Sequence, residues 1–144
     1  MTHYLDTSAL VKRYVQESGS SQVRALFAHG RSVAVCRITY AELAATIARL
    51  ARDGVIDDEA RDSIFDRLDE DFAWMSVCDV RSRLLKTVPA LVSRVALRGY
   101  DAVQLAAALS LKGEGLPLTF WTSDDRLARA ASAEGLRTTF LPMA

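Results

Sequence analysis

Five short runs rich in β-branched and aromatic residues, "THYLD", "RSVAVC", "WMSVC", "PLTFWT" and "RTTFL", are each separated from the next by helical patterns. No Asn-Gly or similar two-residue turn joins one run to the next, so none is read as half of a hairpin. Strands that alternate with helices must return to the same edge through crossovers, and the solution open to such a chain is an α/β fold with a mainly parallel sheet. In sheets of that kind ligands bind beyond the carboxyl ends of the strands. The polar residues that follow each strand are therefore the first candidates for a site.

The helical segments are legible from their punctuation. Thr7 and Ser8 precede "ALVKRYVQE", a second helix covers "SSQVRALFAH" after Gly19, and "ITYAELAATIARLARD" closes at Gly54. "DDEARDSIFDRLDEDF" reads as a fourth helix, and "DVRSRLLKTVPALVSRVAL" as a helix interrupted or kinked at Pro89. "DAVQLAAALSL", after Gly99, is apolar almost all round, which is the mark of a buried helix. "DDRLARAASAE" follows the fourth strand and stops at Gly135.

At 144 residues, half of them hydrophobic and a quarter charged, the chain is expected to form a single domain over residues 1–144, burying roughly 70% of its unfolded surface. No stretch approaches the roughly 18 apolar residues of a membrane span, and the N-terminus lacks a basic segment followed by an apolar one, which reads as cytoplasmic with no membrane partner. Cys36 and Cys78 lie in apolar runs without metal-ligand spacing and are expected to be buried free thiols. Formal net charge is zero, but Asp57 to Asp71 holds eight acids against two bases. That run is read as the solvated face of a helix, leaving the rest of the chain mildly basic.

Asp6 ends the first strand, and Asp124 with Asp125 follows the fourth. Helix capping accounts for each acid taken singly, with Thr7, Ser8 or Ser123 as competing caps. Asp101 opens the buried helix, where an unpaired carboxylate must hydrogen-bond, pair or ligate a cation. Glu42 lies with Thr39, Thr46, Arg49 and Asp53 on a narrow polar stripe, which either meets water or lines a polar cleft. If Asp6, Glu42, Asp101 and Asp124 converge, carboxylates about 4 Å apart repel by roughly 4 kcal/mol at an effective dielectric near 20, so the cluster must take up protons or a cation. An all-oxygen site suits Mg²⁺ or Mn²⁺ rather than zinc, and the chemistry that follows is phosphodiester hydrolysis.

Four motifs in order, "YLDTSALVKRY", "TYAEL", "GYDAVQLAAAL" and "WTSDDRLARAA", make the chain resemble the PIN-domain ribonucleases, and among them the VapC-type toxins of toxin–antitoxin pairs. The resemblance spans essentially the whole chain and implies a PIN-like three-layer sandwich. It implies Asp6, Glu42 and Asp101 as Mg²⁺ (or Mn²⁺) ligands, with Asp124 completing the site directly or through water. Ser8 and Thr122 fall at hydroxyl positions that orient the acids, and Asp125 falls where the family varies. Gln104 stands where many members carry His, a departure expected to alter substrate contacts. A homodimer, an inhibitory antitoxin protein and an RNA substrate of the tRNA or ribosomal class are also implied, with Lys12, Arg13 and Arg98 as phosphate contacts.

Two other functions compete. "LDTSA" after a strand superficially suits an aspartyl phosphatase, although Ser8 stands where a second acid is expected. A catalytically silent PIN-like module that binds RNA or a partner is the other alternative.

Overall fold

The computed structural model describes residues 1–143. Strands β1 (Thr2–Leu5), β2 (Ser32–Cys36), β3 (Ser76–Cys78), β4 (Leu118–Thr122) and β5 (Arg137–Phe140) form one sheet in the order β3-β2-β1-β4-β5. All four pairings are parallel. The chain leaves β1 toward β2 and β3, then crosses back to add β4 on the other side. The order therefore reverses between β1 and β4, the place where the loops after the two strands diverge and open a crevice.

Alternate residues of the strands feed two separate cores. Tyr4, Ala34, Cys36 and Phe120 face one side, where α5 (Ser82–Leu85), α6 (Val88–Arg94), α7 (Gly99–Gly113) and α8 (Asp125–Ala133) pack. Leu5, Val33 and Val35 face the other, under α1 (Thr7–Tyr14), α2 (Ser20–Ala28), α3 (Ile38–Arg52) and α4 (Asp58–Trp74). The result is the helix–sheet–helix sandwich expected of the sequence. The all-apolar helix is α7, in which every residue from Ala102 to Ala108 is buried.

Several local expectations are refined. The third strand is only three residues long, because α4 runs on through Trp74. Pro89 does not kink one helix; it sits in the first turn of α6, where its fixed φ and missing N–H are harmless, and two short helices result. Both cysteines are free, but Cys78 is only half-buried, while burial pushes the Cys36 thiol up to about 11. No helix among the described residues is long and apolar enough to cross a membrane.

Two bases expected at the surface are structural. Lys12 is completely buried: its Nζ lies 2.9 Å from Glu17 Oε1. Gly19 has φ +89°, which favours glycine in the turn into α2, and the Lys12 stem runs close by, so that a Cβ there would come 3.3 Å from Lys12 Cδ. Arg13 forks onto Asp71 of α4, with Nε–Oδ2 at 2.6 Å and Nη2–Oδ1 at 3.0 Å, and lies 3.8 Å over the Phe27 ring. Tyr14 donates to the same carboxylate. Neither Lys12 nor Arg13 is therefore placed to meet a phosphate. Asp71 is likewise the exception to the solvated face of the acidic helix, being 4% exposed.

Burial pushes the Asp71 carboxyl up, but hydrogen bonds from Arg13 and Tyr14 and the Arg13 charge outweigh it and hold its pKa below the usual value. A depressed carboxylate stabilises the fold above its unfolded pKa, and that contribution is lost as pH falls through the folded value. Asp71→Ala leaves Arg13 without its partner and is expected to cost about 3 kcal/mol in urea unfolding at pH 7. The gap from wild type should narrow below about pH 4; a gap already under about 1 kcal/mol at pH 7 would contradict the assignment.

Candidate active site at the reversal of strand order

Asp6 is the first residue after β1, and its backbone N–H still reaches Trp121 O of β4 at 3.2 Å. Its side chain caps α1, with Oδ1 accepting from Ala9 N at 2.9 Å. Ser8 Oγ donates to Oδ1 at 2.7 Å and Thr122 Oγ1 to Oδ2 at 2.6 Å. Both hydroxyls also accept backbone N–H groups of the β4–α8 turn, Ser8 from Ser123 at 2.8 Å and Thr122 from Asp124 at 3.0 Å. The carboxylate after β1 thereby dictates the shape of the turn after β4. Asp6 is only 4% exposed, and burial raises its pKa to about 6, against the lowering effect of its three donors and with some help from the Asp101 charge.

Asp124 is the N-cap of α8, its Oδ1 accepting from Leu127 N at 3.1 Å. Capping and lining the cleft are thus not alternatives for Asp6 and Asp124, since each does both. Glu42 projects from α3, and its Oε1 accepts from Thr7 Oγ1 at 2.8 Å and Gln104 Nε2 at 3.0 Å. The polar stripe of α3 meets a cleft at this end: Glu42 and Thr46 line it, while Thr39 is buried against Gln104. Asp101 sits in the first turn of α7 behind the N-cap Arg98, and it has no hydrogen-bond or ion-pair partner among the described residues.

These four acids line one open cleft of about 600 Å³. Burial raises the Asp101 pKa, and the charges of Asp124 and Glu42 raise it further, while Arg98 and Arg126 oppose them. Among the described residues no three His, Cys, Asp or Glu side chains close tightly enough to enclose an ion. The donor set nevertheless fits Mg²⁺ or Mn²⁺. It is all carboxylate oxygen with excess negative charge, and Mg²⁺ characteristically takes one or two protein carboxylates and keeps several waters rather than filling a protein cage.

The cleft rim is basic and aromatic. Arg98, expected as a phosphate contact, lines it with Tyr100, whose hydroxyl accepts from Arg98 Nη1 at 2.9 Å. Arg126 and Arg129 of α8 line it as well. Asp125 lines the cleft too, but unlike the other four acids it is paired with a base, Arg129. Sequence reasoning passed over Arg126, Tyr100 and Thr7. The first two lie within two residues of Asp124 and Asp101, a proximity that singles them out in retrospect. Thr7 had been considered only as a cap. Gln104, the departure expected to alter substrate contacts, is 2% exposed and donates its amide to Thr39 and Glu42.

In protein freed of divalent cations, a carboxyl-carbon NMR titration of Asp6 is expected to give a midpoint near pH 6. Thr122→Val, which removes a donor to the charged form, should move that midpoint higher. A wild-type midpoint near the ordinary 4 would mean that Asp6 is far more hydrated than this geometry allows.

Comparison with known proteins agrees with the architecture. The PIN domain family model matches residues 3–133. Ribonuclease VapC45 of Mycobacterium tuberculosis is 37% identical over 139 residues, covering 93% of this chain and 92% of the relative. The crystal structure of PAE2754 from Pyrobaculum aerophilum superposes with a TM-score of 0.67 at 20% identity, over 96% of this chain and 83% of that one. A toxin–antitoxin complex from Klebsiella pneumoniae gives a TM-score of 0.61 at 18% identity, over 85% of this chain and 86% of the matched chain. With its strand order, its acids gathered at the reversal point and these similarities, the chain belongs to the PIN-domain family and is VapC-like within it.

Proposed function

We propose that this protein is a divalent-cation-dependent endoribonuclease and the toxin of a toxin–antitoxin pair. The observation that carries the reading is the gathering of Asp6, Glu42, Asp101 and Asp124 in one cleft, with no basic side chain among the described residues hydrogen-bonded to any of them. The similarity to a protein named as a ribonuclease supports the reaction, and the likeness of fold to a chain of a toxin–antitoxin complex supports the biological setting.

In this reading Asp6 and Asp101 hold a Mg²⁺ or Mn²⁺ ion, with Glu42 and Asp124 completing the set directly or through water. The ion supplies activation of a water and neutralisation of charge on the phosphoryl oxygens. Ser8 and Thr122 keep the Asp6 carboxylate in one orientation, and a bound cation would favour its charged form against the burial that raises its pKa to about 6. Arg98 and Arg126 stand at the rim, where they contact the phosphates flanking the scissile bond and hold the RNA across the acids. A covalent aspartyl mechanism is disfavoured, because Ser8 stands where the second acid is expected and donates to Asp6 instead. A second copy of the chain and an antitoxin that covers the cleft are the protein partners this reading implies.

The test is cleavage of cellular RNA with Mg²⁺ or Mn²⁺, with EDTA, and with variants. Asp6→Asn and Asp101→Asn are expected to lower kcat by at least about 100-fold. Asp125→Ala should stay within about 3-fold, since it loses only an exposed pair. Cutting that survives EDTA would refute the cation mechanism, and a wild type that binds RNA without cutting it under any condition would favour the silent binding module. Arg126→Ala is expected to raise KM several-fold with kcat little changed, and to flatten the dependence of binding on salt by about one phosphate contact. A loss confined to kcat would instead place Arg126 at the reacting phosphate.

A further inference from the structure

Gln104 is an uncharged side chain that reaches from the core into the acid cluster. It lies on the buried face of α7 and is 2% exposed, yet it borders the cleft. On one side its Oε1 accepts from Tyr4 OH at 2.7 Å. On the other its Nε2 donates to Thr39 Oγ1 at 2.7 Å and to Glu42 Oε1 at 3.0 Å, with Thr7 Oγ1 a third, longer acceptor at 3.3 Å.

The direction of this amide is determined by chemistry. Tyr4 is fully buried in β1 and stacked on Phe120, ring centroids 5.4 Å apart, and burial holds its phenol firmly protonated. A buried O–H must donate, and the Gln104 carbonyl is the acceptor it has. A flipped amide would turn Oε1 toward the Glu42 carboxylate and confront the Tyr4 hydroxyl with a second donor. The phenol in the sheet thus fixes which end of the amide meets the acid.

We infer that Gln104 is a positioning residue for Glu42: directed by Tyr4, its amide and the Thr7 hydroxyl hold Oε1 of Glu42, leaving Oε2, in a side chain that lines the cleft, without a donor among the described residues. The inference rests on the proposed reading of the cleft as a cation site. A neutral donor suits that role, because it orients the carboxylate without cancelling the charge that attracts the ion.

Two readouts test this on RNA-free protein. The first needs no metal and follows the Gln104 side-chain NH₂ signals by ¹H–¹⁵N NMR. They are expected to be resolved and slow to exchange in wild type, to shift in Glu42→Ala, and to lose that protection in Tyr4→Phe. The second is Mn²⁺ affinity by calorimetry. Gln104→Met, of similar length but without the amide, is expected to weaken Mn²⁺ binding about 10-fold or more. Tyr4→Phe should weaken it less, and the double variant should be no weaker than Gln104→Met, because Tyr4 acts only through Gln104. Melting curves identify any variant that does not fold, and Tyr4→Phe, which removes a single oxygen, then carries the comparison.

Unchanged Mn²⁺ affinity in folded Gln104→Met, additive effects in the double variant, or amide signals indifferent to Glu42→Ala would each overturn the inference. Wild type that binds no Mn²⁺ at millimolar concentration would refute the cation reading separately. The amide signals would still decide the positioning of Glu42, for it if they follow Glu42 and against it if they do not.

Discussion

The buried carboxylate of Asp6 is the interaction around which this structure is organised. It begins α1 by capping it, continues the β1–β4 contact through its own backbone N–H, and shapes the β4–α8 turn through Ser8 and Thr122. One side chain therefore couples the two loops that diverge at the reversal of strand order. A carboxylate buried to this extent disfavours its own charge, and its pKa of about 6 is the measure of that cost. Two hydroxyls and one backbone N–H arranged around one acid make a rigid end to the sheet, and the cleft inherits that rigidity.

The other acids are held less tightly, and in a graded way. Asp124 is fixed by the helix it caps and Glu42 by two neutral donors, whereas Asp101 has no partner among the described residues. The negative charge is thus left uncompensated where three elements meet, while the arginines stand at the rim. A protein selected only for stability would pair these groups; leaving like charges together is the kind of local conflict that marks functional sites. By contrast, Lys12–Glu17 and Arg13–Asp71 are resolved within the fold, and both brace α1 from the side away from the cleft.

Sequence and structure agree best where the physics is local. Strand ends, caps and the all-apolar α7 depend on residues within a turn or two of each other, so Asp6, Asp101 and Asp124 are legible as residues at strand ends or helix starts. The interruption expected at Pro89 is the start of a second helix, and the shortening of β3 is a difference of boundary rather than of kind. Lys12 and Arg13 were misassigned for a different reason. Both occupy the last turn of an amphipathic helix, where basic residues are usually solvated, and only the arrival of Glu17, Gly19 and Asp71 around them turned them inward.

The sequence by itself determined the α/β alternation, the parallel sheet that follows from the absence of hairpins, and the identity of the acids that end its strands or begin its helices. Those properties arise from periodicity and from hydrogen bonding within a few residues. Only the tertiary structure decided that the polar stripe of α3 faces a cleft, that Arg126 and Tyr100 share its rim, and that the Gln104 amide donates to Glu42. These depend on contacts between residues as much as 100 positions apart, such as Tyr4 with Gln104. Such contacts exist only once the sheet order has brought β1, α3 and α7 together, and no local pattern encodes them.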